Sequence, residues 1–380
     1  MASEGLVANS DTSLQSPTNA KAYNRIKLLV SIASSVATFV LLVLIVSLGY
    51  SRELKDWVYS VTSHQYAALM LFAICISVMQ ALITLPLGFY SGYHIEHRYA
   101  LSNQSLVRWA WERLKGILVS LPLAVAVLAL LYYCLTTYGI WWWLPVSTAL
   151  TLLSVVLTRL APILIMPLFY KFTPIQNGSL KERIVRLCSE TGLRIEGIFS
   201  FNLSKNTKKA NAGFTGIGKS KRIILGDTLL QDFSEEEIET VFAHELGHYK
   251  HRHIIIGILI GIVSTFLGLF ITAQLYEWSL TSFGFTAITD FEALPILAVW
   301  LSVFGLVTSP IGNVISRRHE READAYAVQK TGNKSAFISA LQKLAAMNLA
   351  DPEPHPIVEF LFYSHPSIAR RIRAVESIGT

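Results

Sequence analysis

The stretch Ser234–His248, SEEEIETVFAHELGH, contains the main signals for a helix that carries reactive side chains. Ser234 precedes Glu237 by three residues, which is the spacing of a capping box that starts a helix. Apolar residues then recur at helical spacing along the stretch. His244 and His248 are four residues apart and project from one face of that helix. The stretch therefore predicts a helix that presents two imidazoles side by side.

Two imidazoles at this spacing suit a tetrahedral Zn²⁺ ion, with a carboxylate beside the open position where water binds. Glu245 supplies that carboxylate on the same turn. We predict one zinc ion per chain, with His244 and His248 as ligands. Glu245 is then the general base that takes a proton from water and passes it to the leaving amine.

The composition excludes a simple water-soluble enzyme. The chain is 52% hydrophobic and 15% charged, against about 25% charged for an ordinary soluble domain. A helix needs about 20 apolar residues to span a bilayer. The stretches that meet this need are 28–48, 67–89, 117–138, 142–165, 254–276 and 294–315. The fold predicted is mainly α, a polytopic membrane helix bundle of about six spans with a zincin-like metalloprotease domain.

Basic residues in the connections predict the orientation. Lys and Arg precede the first span and follow the second, fourth and sixth, whereas residues 277–292 contain three acidic residues and no Lys or Arg. Both termini and the metal motif are thus predicted in the cytoplasm. The net charge of +6 indicates this topology and attraction to anionic lipid rather than nucleic-acid binding.

The domain organisation follows from these segments. Residues 1–20 are rich in Ser, Asn, Thr and Ala and are predicted to be a disordered tail. The remaining parts are 21–170 with four spans, 171–253 as the cytoplasmic zincin segment, 254–315 with two spans, and 316–380 as a helical C-terminal part.

Inside the cytoplasmic segment, a small β-sheet is predicted. Leu180–Thr191 has the pattern of an amphipathic helix. Ile195–Phe201 and Arg222–Leu225 have the pattern of strands, and Asn211–Gly216 between them predicts an edge strand or a turn.

A catalytic zinc needs a third protein ligand, and the segment RHEREAD after the last span is the best source. Glu320 and Asp324 share one helical face, so Glu320 can bind metal while Asp324 accepts a hydrogen bond from a ligand imidazole. The alternative is that Glu320 pairs with Arg317 or Arg321 on a solvated face. Glu322 points away from that face and is predicted to be solvated.

The oxyanion of a peptide-hydrolysis intermediate needs a further donor, for which His365 or a nearby Tyr is a candidate. His251 and His253 follow the motif at the membrane surface and are predicted to be interfacial rather than ligands. His248 lies about 9 Å from the start of the fifth span at 1.5 Å per residue. The predicted partners are therefore the bilayer and a lipidated or membrane-embedded protein or peptide substrate.

These residues resemble those of the type I CAAX prenyl proteases, which are integral-membrane zinc endopeptidases of the gluzincin class. The resemblance covers most of the chain. The motifs that carry it are His244–His248, Glu320–Asp324, Phe172–Pro174, Asn211 with Ala212, Glu96–Tyr99 with Leu101–Gln104, and His365 with Pro366 and Arg371.

The resemblance implies a role for each matching residue. Zinc is bound by His244, His248 and Glu320, with Glu245 as general base and Asp324 bonded to a ligand. Asn211 and Ala212 bind the substrate backbone by β-addition. His365 and Arg371 bind substrate and stabilise the oxyanion. The substrate implied ends in a prenylated Cys-a-a-X sequence. The short chain favours a bacterial homologue in the cell membrane, and a eukaryotic one would occupy the endoplasmic reticulum.

Two other functions are compatible with the residues. The same chemistry could serve a quality-control protease of the heat-shock type that degrades membrane proteins. A zinc-dependent scaffold or transporter without proteolysis is disfavoured for two reasons. Transporters place several ionisable groups within their spans, whereas the spans predicted here are predominantly apolar. A purely structural zinc site also has no use for the carboxylate of Glu245.

Overall fold

The computed structural model describes residues 17–176, 178–193, 195–215 and 222–378. The helices are α1 (Pro17–Ser47), α2 (Tyr50–Val61), α3 (Gln65–Phe89, prolonged to Arg98), α4 (Leu106–Tyr138), α5 (Trp143–Leu160, prolonged to Phe169), α6 (Ser179–Glu190), α7 (Asp227–Asp232), α8 (Glu235–Lys250), α9 (His253–Leu280), α10 (Leu294–Thr331), α11 (Lys334–Asn348), α12 (Pro356–Phe362) and α13 (Ile368–Glu376). The chain is mainly α, as the sequence predicts.

Six of the described helices, α1, α3, α4, α5, α9 and α10, are long and apolar enough to cross a membrane. Each covers one of the predicted spans to within one residue, so the six predicted places are confirmed. Few of their side chains are buried, with 0–22% of each apolar window inside the protein. That exposure suits helices whose apolar surface faces lipid or an internal space rather than a packed core.

Two predicted boundaries fall inside helices. Residues 1–16 of the predicted tail lie outside the described residues, and α1 begins at Pro17, so 17–20 are helical. The predicted boundary between 315 and 316 lies within α10, which runs without interruption from Leu294 to Thr331. An α-helix can continue out of the membrane when its residues change from apolar to charged, since its backbone hydrogen bonds stay within the helix.

The sheet lies between the fourth and fifth spans in sequence. Its strands are β1 (Phe172–Pro174), β2 (Gly197–Phe201), β3 (Ala212–Thr215) and β4 (Arg222–Gly226). Their spatial order is β1-β2-β4-β3, with β2 parallel to β4 and the other two pairs antiparallel. The two predicted strands are confirmed, and the segment at Asn211–Gly216 forms the edge strand β3 as far as Thr215; Gly216 lies outside the described residues.

The helix that carries the metal motif begins as predicted. Ser234 accepts a hydrogen bond from the backbone N–H of Glu237, and the Glu237 carboxylate accepts one from the backbone N–H of Ser234. The apolar face of α8 packs into a core with α6, α11 and strands β2 and β4. Ile238, Phe242 and Leu246 are among its buried members. This core fixes the direction in which the two histidines project.

A glycine brings the motif helix against the last long helix. A Cβ added at Gly247 would lie 2.9 Å from Cα of Ala323 and 3.2 Å from its carbonyl oxygen. Real side chains do not tolerate such contacts, so only glycine allows α8 and α10 to approach this closely. The approach places the residues on either side of Ala323 beside the histidines of α8.

Candidate metal centre

Helices α8 and α10 together form a compact cluster of potential metal ligands. His244, His248 and Glu320 each offer one ligand atom, and these atoms lie within 4.8 Å of one another. Nε2 of His244 is 3.2 Å from Nε2 of His248. The Glu320 carboxylate lies 3.4 Å from the first of these nitrogens and 3.3 Å from the second. The structure thus brings together the three residues that the sequence predicts as ligands.

The Glu320 carboxylate fits a metal better than it fits a surface ion pair. Its Oε2 atom is buried and has no hydrogen-bond partner among the described residues. Arg317, which the sequence offered as an alternative partner, instead donates hydrogen bonds to the carbonyl oxygens of Glu359 and Tyr363. A buried carboxylate oxygen without a partner is costly unless a cation or donor satisfies it. The orphaned atom therefore supports a metal at this place.

Asp324 lies directly behind His244. Its Oδ1 atom is 2.8 Å from Nδ1 of His244, so the imidazole is held from the side opposite to the cluster. Burial favours the neutral ring, but the neighbouring carboxylates of Asp324 and Glu320 raise the pKa of His244 to about 9. The two carboxylates therefore favour a positive charge at this position, which a divalent cation would also supply.

Arg371, on α13, binds the carboxylate of Asp324. Its guanidinium donates to both carboxylate oxygens of Asp324, with Nη2 to Oδ1 at 2.6 Å and Nε to Oδ2 at 2.9 Å. Its Nη2 is also 3.9 Å from Oε2 of Glu320. A paired, bidentate arginine holds a carboxylate in one orientation. The sequence predicts Arg371 as a substrate-binding residue, and the structure places it on Asp324 at the wall of the cleft.

Glu245 lies in the same cleft as His244 and Glu320. Burial raises the pKa of its carboxyl group, with the neighbouring histidines acting in the opposite direction. A carboxylate with a raised pKa is a stronger base than one in water. The position and environment of Glu245 therefore suit the general base that the sequence predicts.

His365 reaches the cluster from the segment after α12. Its Nε2 atom is 3.4 Å from Oε1 of Glu320, and Ser364 Oγ lies 2.9 Å from its Nδ1. The side chain is 62% exposed, so it borders the open cleft. The Arg317 bonds to Glu359 and Tyr363, just before this segment, tie it to α10. His365 is thus placed beside the cluster on the solvent side, as the predicted oxyanion donor should be.

A cleft of 510 Å³ opens beside the cluster. Asn211 and Ala212, at the start of edge strand β3, line it together with the cluster residues and with apolar side chains of α8 and α11. Gly226 N donates a 2.8 Å hydrogen bond to the Asn211 carbonyl on the sheet side. The strand occupies the end of the sheet order, and no strand of the described residues pairs with its other edge, where an extended chain could add.

The sequence analysis missed His253. It predicts an interfacial residue, but His253 is buried and its Nδ1 atom lies 3.0 Å from Nδ1 of His248. It opens α9, so the predicted end of the cytoplasmic segment at residue 253 falls on the first residue of a spanning helix. The spacing of five residues from His248 gives no helical-face signal, because Arg252 turns the chain with a φ of 57° between the two helices.

Comparisons with known proteins agree with this fold and site. Residues 174–378 match peptidase family M48, and residues 8–171 match the family described as CAAX prenyl protease N-terminal, five membrane helices. The chain is 30% identical over 342 residues to the uncharacterized metalloprotease YhfN of Bacillus subtilis, covering 89% of this chain and 80% of that protein. CAAX prenyl protease 1 of Saccharomyces cerevisiae is 30% identical, with coverage of 80% and 71%.

A solved structure is similar over nearly the whole chain. The crystal structure of S. mikatae Ste24p superimposes with a TM-score of 0.83 at 26% sequence identity, covering 98% of this chain and 91% of that chain. Fold and site together define a multi-pass integral-membrane metalloendopeptidase. The chain belongs to peptidase family M48 and resembles its CAAX prenyl proteases.

Proposed function

We propose that the protein is a zinc-dependent endopeptidase that cleaves prenylated or otherwise membrane-associated proteins at the cytoplasmic face of its membrane. The observation that carries the proposal is the His244, His248 and Glu320 cluster beside the open cleft. His248 lies five residues before α9 begins at His253, and Glu320 lies five residues beyond the apolar stretch 294–315 of α10. A substrate held at the membrane surface would therefore meet the cluster without leaving the lipid.

The distances between the candidate ligand atoms support zinc as the metal. Zinc binds imidazole nitrogens and carboxylate oxygens at about 2.0–2.2 Å in tetrahedral geometry, which places neighbouring ligand atoms roughly 3.3 Å apart. The two histidine Nε2 atoms are 3.2 Å apart, and each lies 3.3–3.4 Å from one of the two carboxylate oxygens of Glu320. The donor set of two imidazoles and one carboxylate, with a side open to the cleft, is also that of a catalytic zinc site rather than a closed structural one.

Each residue of the site then has a role in peptide hydrolysis. Bound zinc would polarise the scissile carbonyl and lower the pKa of the attacking water. Glu245 takes a proton from that water and delivers it to the leaving amine, for which its raised pKa is suited. His365, exposed toward the cleft beside Glu320, donates a hydrogen bond to the carbonyl oxygen as negative charge develops there.

The substrate backbone is bound by strand addition. The outer edge of β3, at Ala212 and next to Asn211, offers N–H and C=O groups to an extended peptide that lies in the cleft. Arg371 contributes by holding Asp324, and through it His244, in a fixed orientation. This differs from direct substrate contact, which the resemblance implied for Arg371.

The prenylated substrate is proposed from two observations. The cluster lies within a few residues of the apolar stretches of α9 and α10, where a lipid-modified cysteine would be delivered. The yeast relative at 30% identity is a CAAX prenyl protease by name. The proposal extends that specificity to this chain, so the scissile bond would follow the prenylated cysteine.

The cytoplasmic orientation can be tested by labelling. We expect single cysteines introduced at exposed positions of the metal-site side, such as Glu182→Cys, to react with a membrane-impermeant maleimide only after cells are opened. A cysteine at Thr286, in the connection between α9 and α10, should react in intact cells. The reverse pattern would place the site on the other side of the membrane.

The peptidase proposal is tested with purified protein in detergent and two peptides of one sequence, with and without a farnesyl group on cysteine. Farnesylated peptide should be cleaved at least about ten times faster, because burying a few CH₂ groups contributes more than the 1.4 kcal/mol that a factor of ten requires. Equal cleavage would assign the activity to general membrane-protein quality control. No cleavage of either peptide by zinc-loaded protein would contradict the proposal.

A further inference from the structure

The nitrogen of His248 that faces away from the cluster has a partner of its own. Its Nδ1 atom lies 3.0 Å from Nδ1 of His253. On the other side of the His253 ring, Nε2 lies 3.0 Å from Oε2 of Glu322. The side chain of His253 is 5% exposed. A chain of two hydrogen bonds therefore runs from His248 through a buried imidazole to a carboxylate on α10.

Metal binding by His248 would determine which atom donates the proton in each of these two hydrogen bonds. Nε2 of His248 faces Glu320 and His244, and as a neutral metal ligand it presents its lone pair there. The ring proton is then on Nδ1, which donates to Nδ1 of His253. The His253 proton must accordingly be on Nε2, where it donates to Glu322. Every nitrogen has a single consistent role, so the geometry fixes the tautomers of both rings.

We propose that His253 is a positioning residue of the metal centre, which orients the imidazole of His248 and is itself held by Glu322. The inference rests on the proposed zinc site. Each ligand histidine then has a hydrogen-bond partner on its Nδ1 atom: His253 for His248, and Asp324, whose Oδ1 lies 2.8 Å away, for His244. Hydrogen-bonded partners of this kind fix the ring orientation of a ligand and raise its basicity.

The surroundings of His253 make it a rigid support. Its ring stacks on His319 with centroids 4.0 Å apart and an angle of 9° between the planes. Glu322 is fixed from outside by Arg318, whose Nε donates to Oε1 at 3.0 Å. His253 begins α9, whereas His319 and Glu322 belong to α10. The position of the His248 ring is thus tied to the packing of the last two spans.

Glutamine and phenylalanine variants separate hydrogen bonding from packing. His253→Phe keeps a ring to stack on His319 but removes both nitrogens. We expect its Zn²⁺ affinity, measured by competition with a chromophoric chelator, to fall about 10–100-fold. His253→Gln can accept with its oxygen and donate with its nitrogen, so it should stay within about threefold of wild type. The visible spectrum of the Co²⁺-loaded protein should change in His253→Phe, because the ligand ring is no longer oriented.

The control is His251→Phe, an exposed ring that stacks on His253 with centroids 5.5 Å apart and should leave zinc affinity unchanged. Wild-type zinc affinity in His253→Phe, with an unchanged Co²⁺ spectrum, would overturn the inference. Should His253→Phe not fold, Glu322 allows the same comparison, because its side chain is 36% exposed. Glu322→Ala removes the acceptor for His253, whereas Glu322→Gln keeps one. Only the alanine variant should bind zinc more weakly, and equal affinities would overturn the inference. Absence of zinc binding by the wild type would instead refute the proposed function.

Discussion

Asp324 holds His244 on the side opposite to the ligand cluster, with Oδ1 of the aspartate 2.8 Å from Nδ1 of the histidine. The contact joins α8 to α10 at the level where Gly247 lets the two helices approach. It leaves Nε2 of His244 free to face His248 and Glu320. The ligand geometry thus depends on a carboxylate that is not itself in the cluster.

Replacing this carboxylate should weaken metal binding. Asp324→Asn keeps the shape of the side chain but loses the charge that Arg371 and His244 share. We expect Zn²⁺ affinity to fall about 10–100-fold in chelator competition. The exposed Asp232 provides a matched control, and Asp232→Asn should bind zinc like wild type. Unchanged affinity in Asp324→Asn would remove Asp324 from the support of the metal.

Arg317 should affect catalysis without affecting the metal. It is buried on α10 and donates to the carbonyl oxygens of Glu359 and Tyr363, in the segment that leads to His365. Both bonds come from the Nη1 atom of Arg317, and the shorter lysine side chain in Arg317→Lys would not reach both carbonyl oxygens, so His365 would shift. A shift of about 1 Å can cost on the order of 100-fold in rate. We expect kcat to fall about 10–100-fold in steady-state peptide hydrolysis, with zinc content retained.

The control for this prediction is Arg321→Lys, on the exposed face of the same helix. It should have the kcat of the wild type. Loss of zinc from Arg317→Lys would mean that Arg317 supports the ligand cluster rather than His365. A wild-type kcat would mean that the segment needs no anchor on α10.

Glu237 should make stability depend on pH. Burial alone would raise its pKa, but hydrogen bonds from Lys343, Ser339 and the backbone of Ser234 lower it below the usual value. A lowered pKa in the folded state contributes stability that is present above the unfolded pKa of about 4.3 and is lost as pH falls through the folded value. Glu237→Gln should therefore unfold at a lower temperature than wild type at pH 7, with a smaller difference near pH 4.

Thermal unfolding in detergent at several pH values measures this effect. Hydrogen bonds to a charged group contribute about 1.5–3 kcal/mol, which corresponds to a decrease of a few degrees at pH 7. Glu182→Gln, at an exposed position on α6, should unfold like wild type at every pH. A difference between wild type and Glu237→Gln that grows toward low pH would contradict the assigned role.

Much of the fold could be predicted from local sequence signals. Apolar stretches located all six spans, since each needs only its own composition to be recognised. The Ser234–Glu237 box placed the start of α8 correctly. The strand β1 was missed, because Phe172–Pro174 is too short for a periodic pattern and pairs with Phe199–Phe201 more than twenty residues away.

The site was predictable where its residues share a helix and not where they meet across helices. His244 and His248 follow from a four-residue spacing, and Glu320 with Asp324 from another. The role of His253 depends on Glu322, which is 69 residues further along the chain. The close approach at Gly247 likewise depends on Ala323. No local pattern encodes such contacts, since they exist only after α8, α9 and α10 have packed.

The central claim is that zinc is bound by His244, His248 and Glu320 and that Glu245 acts on water beside it. The most direct measurement determines bound zinc and peptide hydrolysis on the same preparations of wild type, Glu245→Gln and Glu320→Ala. We predict about one zinc per chain and activity in the wild type. Glu245→Gln should keep the zinc and lose hydrolysis, and Glu320→Ala should lose both. A Glu245→Gln protein that hydrolyses peptide, or a Glu320→Ala protein with full zinc content, would contradict the account.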